Sequence, residues 1–181
     1  MFPKKYLNIL FFFFISISCT SELDFSQIDD YNAQPEYIGS IAFFSILPPQ
    51  FYNQSGVQVT ERTDITDLRF FENPFIENNL VKLDFNVEIK NEYNTAFVVQ
   101  VSLLDESGND TYVFQELNIP ANKLDYKFKE TIEVNTNQNV KNTSKVKIVV
   151  KFFDTSFVIN PNATTEFQFK SSSKIYLDTT K

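Results

Sequence analysis

A chain of 181 residues with 21 Phe, 43% hydrophobic residues and a formal charge of −7 fits one domain with flanking segments. Such a domain can build a core without disulfide staples. The acidity argues against nucleic acid, whose phosphates are held by Lys and Arg, and against an electrostatic grip on an anionic bilayer. A single Cys and no His exclude an internal disulfide, a Ser-His-Asp triad and a histidine metal site.

Residues 1–6, MFPKKY, are a cationic start, and residues 7–18, LNILFFFFISIS, an apolar run. A spanning helix needs about 20 apolar residues, so 1–18 reads as a secretory signal and not as a permanent span. Cys19 follows at once, with the small Ser18 before it and small, polar and acidic residues after it. A thiol at this position is what diacylglycerol transfer requires. Two or more acyl chains, at about 0.8 kcal/mol per buried methylene, give stable anchoring. Cys19 is therefore the expected lipid attachment site and the first residue of a mature chain. Loss of Lys4 and Lys5 with the leader would leave 14 basic against 23 acidic residues, a charge of −9. Residues 19–35, with Glu22, Asp24, Asp29 and Asp30 and ending at Pro35, read as an acidic flexible tether spanning about 20–25 Å. The domain is expected over 36–181.

The domain opens on EYIGSIAFFSIL, a strand apolar on both faces that stops at Pro48-Pro49. From Thr63 to Leu80 the spacing of Leu68, Phe71, Phe75 and Ile76 is closer to helical. Short helical turns are expected near 64–78, capped by Thr63 or Asp64 and broken at Pro74. Period-two alternation then sets in. Val81, Leu83, Phe85, Val87 and Ile89 share one face, NEYN turns, and Phe97, Val99, Val101 and Leu103 follow. ESGND turns again, and TYVFQELNI runs as a strand to Pro120. Leu124, Tyr126, Phe128, Ile132 and Val134 mark the next strand, followed by an Asn-rich loop and KVKIVVKFF. TEFQFKSSSKIYLD closes the chain; its even register, with Lys170 and Lys174, suggests a position at or near a sheet edge. The sum is an all-β fold, an antiparallel immunoglobulin-like β-sandwich of about seven strands. The Cys pair and Trp of antibody domains are missing, so the likeness is one of architecture.

Catalytic motifs are missing too. There is no G-x-S-x-G elbow and no phosphate-cradling glycine loop. Asp105, Glu106, Asn109 and Asp110 crowd one turn, but without EF-hand spacing, and read as a solvated hairpin turn. No carboxylate pair stands out for glycoside hydrolysis. The aromatics near 48–53 and 70–75 are expected to fill the core end of the sandwich, with ligand recognition the competing reading. No catalytic residue, metal ligand or cofactor is assigned.

SCTSELDFSQIDD, the alternating strands and the terminal KIYLD resemble small outer-membrane lipoproteins of Bacteroidota. The resemblance implies anchoring in the outer membrane of the cell envelope, facing the periplasm or the surface, and brings no activity with it. Ser16 stands where such signals usually carry Leu. Residues 83–109, taken as a hairpin, are similar to the central hairpin of the LEA-type, water-stress β-sandwich family, with Glu92 where that family usually has Pro. The expected function is a non-enzymatic, membrane-anchored lipoprotein whose sandwich serves as a binding or scaffold module. The expected partners are the membrane, through the lipid, and an envelope protein or glycan, with no nucleic acid. The alternatives are a lipid- or amphiphile-handling sandwich with a cavity between its sheets, and a carboxylate-based hydrolase.

Overall fold

The computed structural model describes residues 34–179, so the expected leader, Cys19 and nearly all of the expected tether lie outside the described residues. Nine strands follow in order: β1 (Glu36–Ile46), β2 (Glu61–Asp67), β3 (Leu80–Asn91), β4 (Phe97–Leu104), β5 (Asp110–Val113), β6 (Leu117–Ile119), β7 (Tyr126–Glu133), β8 (Lys145–Phe152) and β9 (Phe167–Leu177). One sheet has the order β1-β9-β3-β7; the other has β2-β8-β4-β5, with β6 also on β4. Each strand pairing is antiparallel.

The alternation explains the layering. Leu83, Phe85, Val87 and Ile89 of β3 are buried and face Val99, Val101, Val146, Ile148 and Val150 of the second sheet across one core. A sandwich was expected, and a sandwich is found. Its connectivity is that of a jelly roll: the chain changes sheet at every step except along β4-β5-β6. β5 and β6 are one interrupted strand on the edge of β4. At the interruption Phe114 N–H still donates to Val101 O at 3.1 Å. The Gln100 Nε2 group fills the gap, donating to Phe114 O at 2.8 Å and to Val101 O at 3.0 Å.

The other strand beyond the expected seven is β2. Its side chains show no apolar period, so no strand was expected there. Cross-strand neighbours hold it: Glu61 stands opposite Lys151, and Asp67 opposite Lys145 of β8. Thr63 and Asp64 therefore lie in a strand and cap no helix. The helical turns fall at Arg69–Glu72 and in a short helix, α1 (Pro74–Asn79). Asn73 caps α1, its side chain accepting from Phe75 N–H at 2.9 Å. Pro74 starts this helix because the first helical position needs no N–H donor.

One further expectation is corrected and another is refined. Residues 83–109 form no hairpin, because β3 pairs with β7 and β9 while β4 pairs with β5, β6 and β8. Both strands have a strongly apolar face, and an arch between sheets buries both faces against each other. Asn91, fully buried, holds the corner: its Nδ2 donates to Thr95 O at 2.9 Å and Pro120 O at 2.8 Å, and its Oδ1 accepts from Tyr93 N–H at 3.0 Å. β9 lies near the sheet edge, as expected, but is not the edge strand itself; it runs between β1 and β3. Its Lys170 and Lys174 guard no edge but stand on the outer face of the sheet, where Lys174 pairs with Glu36 at 2.6 Å.

At one end, the turn after Pro48-Pro49 drives Phe51 into the core. Its ring lies 4.7 Å from Phe152 and 5.8 Å from Phe97, which in turn packs on Phe167 at 4.9 Å. Aromatic pairs of this kind contribute about 0.5–1.5 kcal/mol beyond area burial.

Candidate functional site

Among the described residues, the buried carboxylate Asp84 and the half-buried carboxylate Glu130 are both committed to the fold. Asp84, on the outer face of β3, is 4% exposed. It accepts from Thr131 Oγ1 at 2.6 Å, Tyr176 OH at 2.8 Å and Lys129 Nζ at 2.8 Å. Burial pushes its carboxyl up, but the hydrogen bonds from Lys129, Thr131 and Tyr176 outweigh it and hold the pKa down at about 2. Lys82 caps the arrangement from above, 3.8 Å from the centre of the Tyr176 ring. An ionised carboxylate with three donors is a poor proton donor, and this one ties together three strands of a sheet.

Glu130 occupies an inward position of the edge strand β7, where the alternation of Phe128 and Ile132 calls for an apolar residue. It accepts from Tyr112 OH at 2.5 Å and from Gln115 N–H at 3.1 Å. It therefore ties the β7 edge of one sheet to the β5-β6 edge of the other. The Tyr112 hydroxyl is pushed up to about 12, by burial first and then by the Glu130 carboxylate.

The crowded turn at 105–110 also serves itself. Asp105 accepts from Asn109 N–H at 2.8 Å and from Asn109 Nδ2 at 3.0 Å. Gly108 takes φ 86°, a conformation in which a side chain would be strained. Among the described residues no three His, Cys, Asp or Glu side chains converge on a metal position. Of the singled-out aromatics, Phe51 and Phe71 are buried, while Phe75 is 49% exposed on α1. The Tyr52 hydroxyl is turned inward to donate to Ile159 O.

The surface concavities are left. One, of about 310 Å³, lies between the edge strands β1 and β2, where Phe44 and Ile46 meet Gln50, Arg62 and Asp64. Arg62 donates to Tyr52 O at 3.3 Å, and among the described residues its Nε has no hydrogen-bond partner. Another, among several, is a basin of about 800 Å³ at the opposite end of β3. Leu80, Val81 and Val134 lie at its base; Glu77 of α1, Glu133 of β7, Lys141 and the carboxamide residues Asn135, Gln138, Asn139 and Asn142 line the rest. The 138–142 turn is pinned from below by the fully buried Val140 and by Thr143, whose Oγ1 lies 2.7 Å from Thr111 Oγ1. Among the described residues, the side-chain amides of Asn135 and of Gln138, Asn139 and Asn142 in this turn serve no internal hydrogen bond, and Glu77, Glu133 and Lys141 beside them stand in no ion pair. The Asn-rich composition of 135–142 was visible in the sequence; its position against Glu77 and Leu80 was not.

No described helix is long and apolar enough to cross a membrane. Neither a known protein family nor a curated protein matches the chain. Among solved structures, infectious bursal disease virus (Gx strain) aligns over 80% of this chain at 11% identity and a TM-score of 0.40. The alignment spans about a third of that chain, 32%. A Parabacteroides distasonis protein described as secreted aligns over 64% of this chain and 38% of its own, at 10% identity and a TM-score of 0.46. A Bacillus endospore appendage subunit aligns over 81% of this chain and 91% of its own, at 8% identity and a TM-score of 0.37.

Proposed function

We propose that the chain is an extracytoplasmic, lipid-anchored, non-enzymatic protein whose sandwich binds a neutral glycan in the basin bounded by Glu77, Glu133 and the 135–142 loop. The observation that carries the reading is the group of four amides that, among the described residues, serve no internal hydrogen bond. Each carboxamide offers two donors and an acceptor, which matches sugar hydroxyls that both give and take hydrogen bonds. The half-buried Val81 supplies an apolar contact for the C–H face of a pyranose, while Leu80 and Val134 are buried in the core. The Glu77 and Glu133 carboxylates outnumber the Lys141 ammonium in the same lining and so disfavour an anionic sugar. Membrane attachment comes from Cys19, whose place behind an apolar run supports lipidation.

The test is calorimetric titration of neutral oligosaccharides into the detergent-solubilised full chain and into a Gln138→Ala, Asn139→Ala variant. Saturable binding weakened at least about tenfold in the variant supports the reading, because each lost hydrogen bond contributes about 1 kcal/mol. Equal binding by both chains, or none by the parent, removes it. Incorporation of labelled palmitate into the parent but not into Cys19→Ala tests the anchor separately.

A further inference from the structure

Three of the four sheet edges are guarded. β7 carries Lys127, Lys129, Glu130 and Glu133; β2 carries Glu61, Arg62, Asp64 and Asp67; the β5-β6 edge is broken at Phe114. β1 differs. It is 11 residues long, and from Tyr37 to its end at Ile46 it has no charge. Glu36–Ser40 are exposed on both faces. Ile38 is 76% and Phe43 65% exposed. A long, uncharged edge strand of this kind is a template for another strand.

The register of that edge says which strand fits. Pro35 O accepts from Leu177 N–H, and Ala42 N–H faces Ser171 Oγ at 3.2 Å, so these residues turn toward β9. Antiparallel pairing alternates direction along a strand. Ile38 before the bulge between Ser40 and Ala42, and Phe43 after it, therefore turn their N–H and C=O groups to the free edge. Both side chains lie on the outer face, opposite Lys174 and Lys170 respectively.

We infer that β1 pairs antiparallel with β1 of a second copy, about a two-fold axis between Ser40 and Ile41, joining two four-stranded sheets into one of eight strands. In this register Ile38 faces Phe43 of the second copy, Gly39 faces Ala42, Tyr37 faces Phe44, and Glu36 faces Ser45. The two-fold repeats each pair. Each exposed apolar side chain meets another, the smallest residue meets the next smallest, no like charges meet, and the backbone groups of Ile38 and Phe43 bond each other. An isologous contact requires this self-complementarity; a foreign strand would not. Two chains of charge −7 repel, so added salt strengthens the pair. The inference stands on the β1 edge and does not depend on glycan binding or on Cys19.

The test is sedimentation equilibrium of the full chain in density-matched detergent, at low and high salt. The parent is expected to dimerise, more tightly at high salt. Ile38→Lys is expected to weaken the dimer at least about tenfold, since the charge meets Phe43 of the second copy twice. Adding Phe43→Glu to it is expected to restore association, because ammonium and carboxylate then face each other across the axis. Val158→Lys, at a side chain 76% exposed elsewhere, leaves association unchanged, and circular dichroism shows that each variant is folded. A parent that stays monomeric at both salt concentrations, a Ile38→Lys chain that dimerises like the parent, or a double variant that fails to recover overturns the inference.

Discussion

The Tyr112 hydroxyl donates a 2.5 Å hydrogen bond to Glu130 across the gap between the two sheets. The contact joins β5 at the edge of one sheet to β7 at the edge of the other. It places a carboxylate at a position that apolar alternation would assign to the core. With Gln115 N–H on its second oxygen, Glu130 closes this side of the sandwich, while the β1-β2 side stays open.

Glu130→Ala is expected to lower unfolding stability by about 1–3 kcal/mol, because the Tyr112 hydroxyl and the Gln115 N–H both lose their acceptor. Tyr112→Phe removes one donor and costs about 1 kcal/mol. Urea unfolding of the two single variants and the double variant measures the coupling, and additive effects would show that the two groups act independently.

The raised Tyr112 pKa has a defined pH consequence. A hydroxyl whose folded pKa lies above its unfolded value near 10 favours the fold while protonated. That contribution is complete below pH 10 and is lost as the pH rises from about 10 to about 12. In Tyr112→Phe this alkaline loss is expected to shrink, as read from denaturation midpoints across that window.

Asp84 gives the opposite sign. Its folded pKa of about 2 lies below the unfolded value of 3.8, so its contribution is present above that value and is lost as the pH falls toward 2. The shift corresponds to about 2 kcal/mol. Asp84→Asn is expected to be less stable than the parent by about that amount at neutral pH, with the gap closing under acid. A gap that persists unchanged at the acid end would mean that packing, not charge, explains the loss.

Asn91→Ala removes a fully buried carboxamide with three hydrogen bonds. The carbonyls of Thr95 and Pro120 are left without this donor, and a cost of about 3 kcal/mol or more is expected. The denaturant midpoint should fall with little change in slope.

The aromatics separate into two kinds by the same measurement. Phe51→Ala opens a cavity among Phe97, Phe152 and Tyr93 and is expected to cost about 3–5 kcal/mol. Phe75→Ala, on the exposed face of α1, is expected to stay within about 0.5 kcal/mol of the parent.

The strands were legible where one face is apolar. Leu83, Phe85, Val87 and Ile89 announce β3, and Val146, Ile148 and Val150 announce β8, because a half-buried strand must repeat with period two. β2 was not legible, because its stability comes from pairing with β8 and not from a buried face of its own. Of the basin, the amides of 135–142 were visible as a composition, but their distance from Glu77 was not.

Alone, the sequence determined the period-two segments, the acidic charge, the absence of histidine chemistry and the placing of its one thiol at position 19. These are local or additive properties, readable one residue at a time. The tertiary structure decided which strands are neighbours. Asp84 finds Thr131 across 47 positions and Tyr176 across 92, and β9 takes the middle of a sheet. Such choices belong to the whole chain, since they are set by burying every apolar face at once while leaving each buried donor and acceptor a partner.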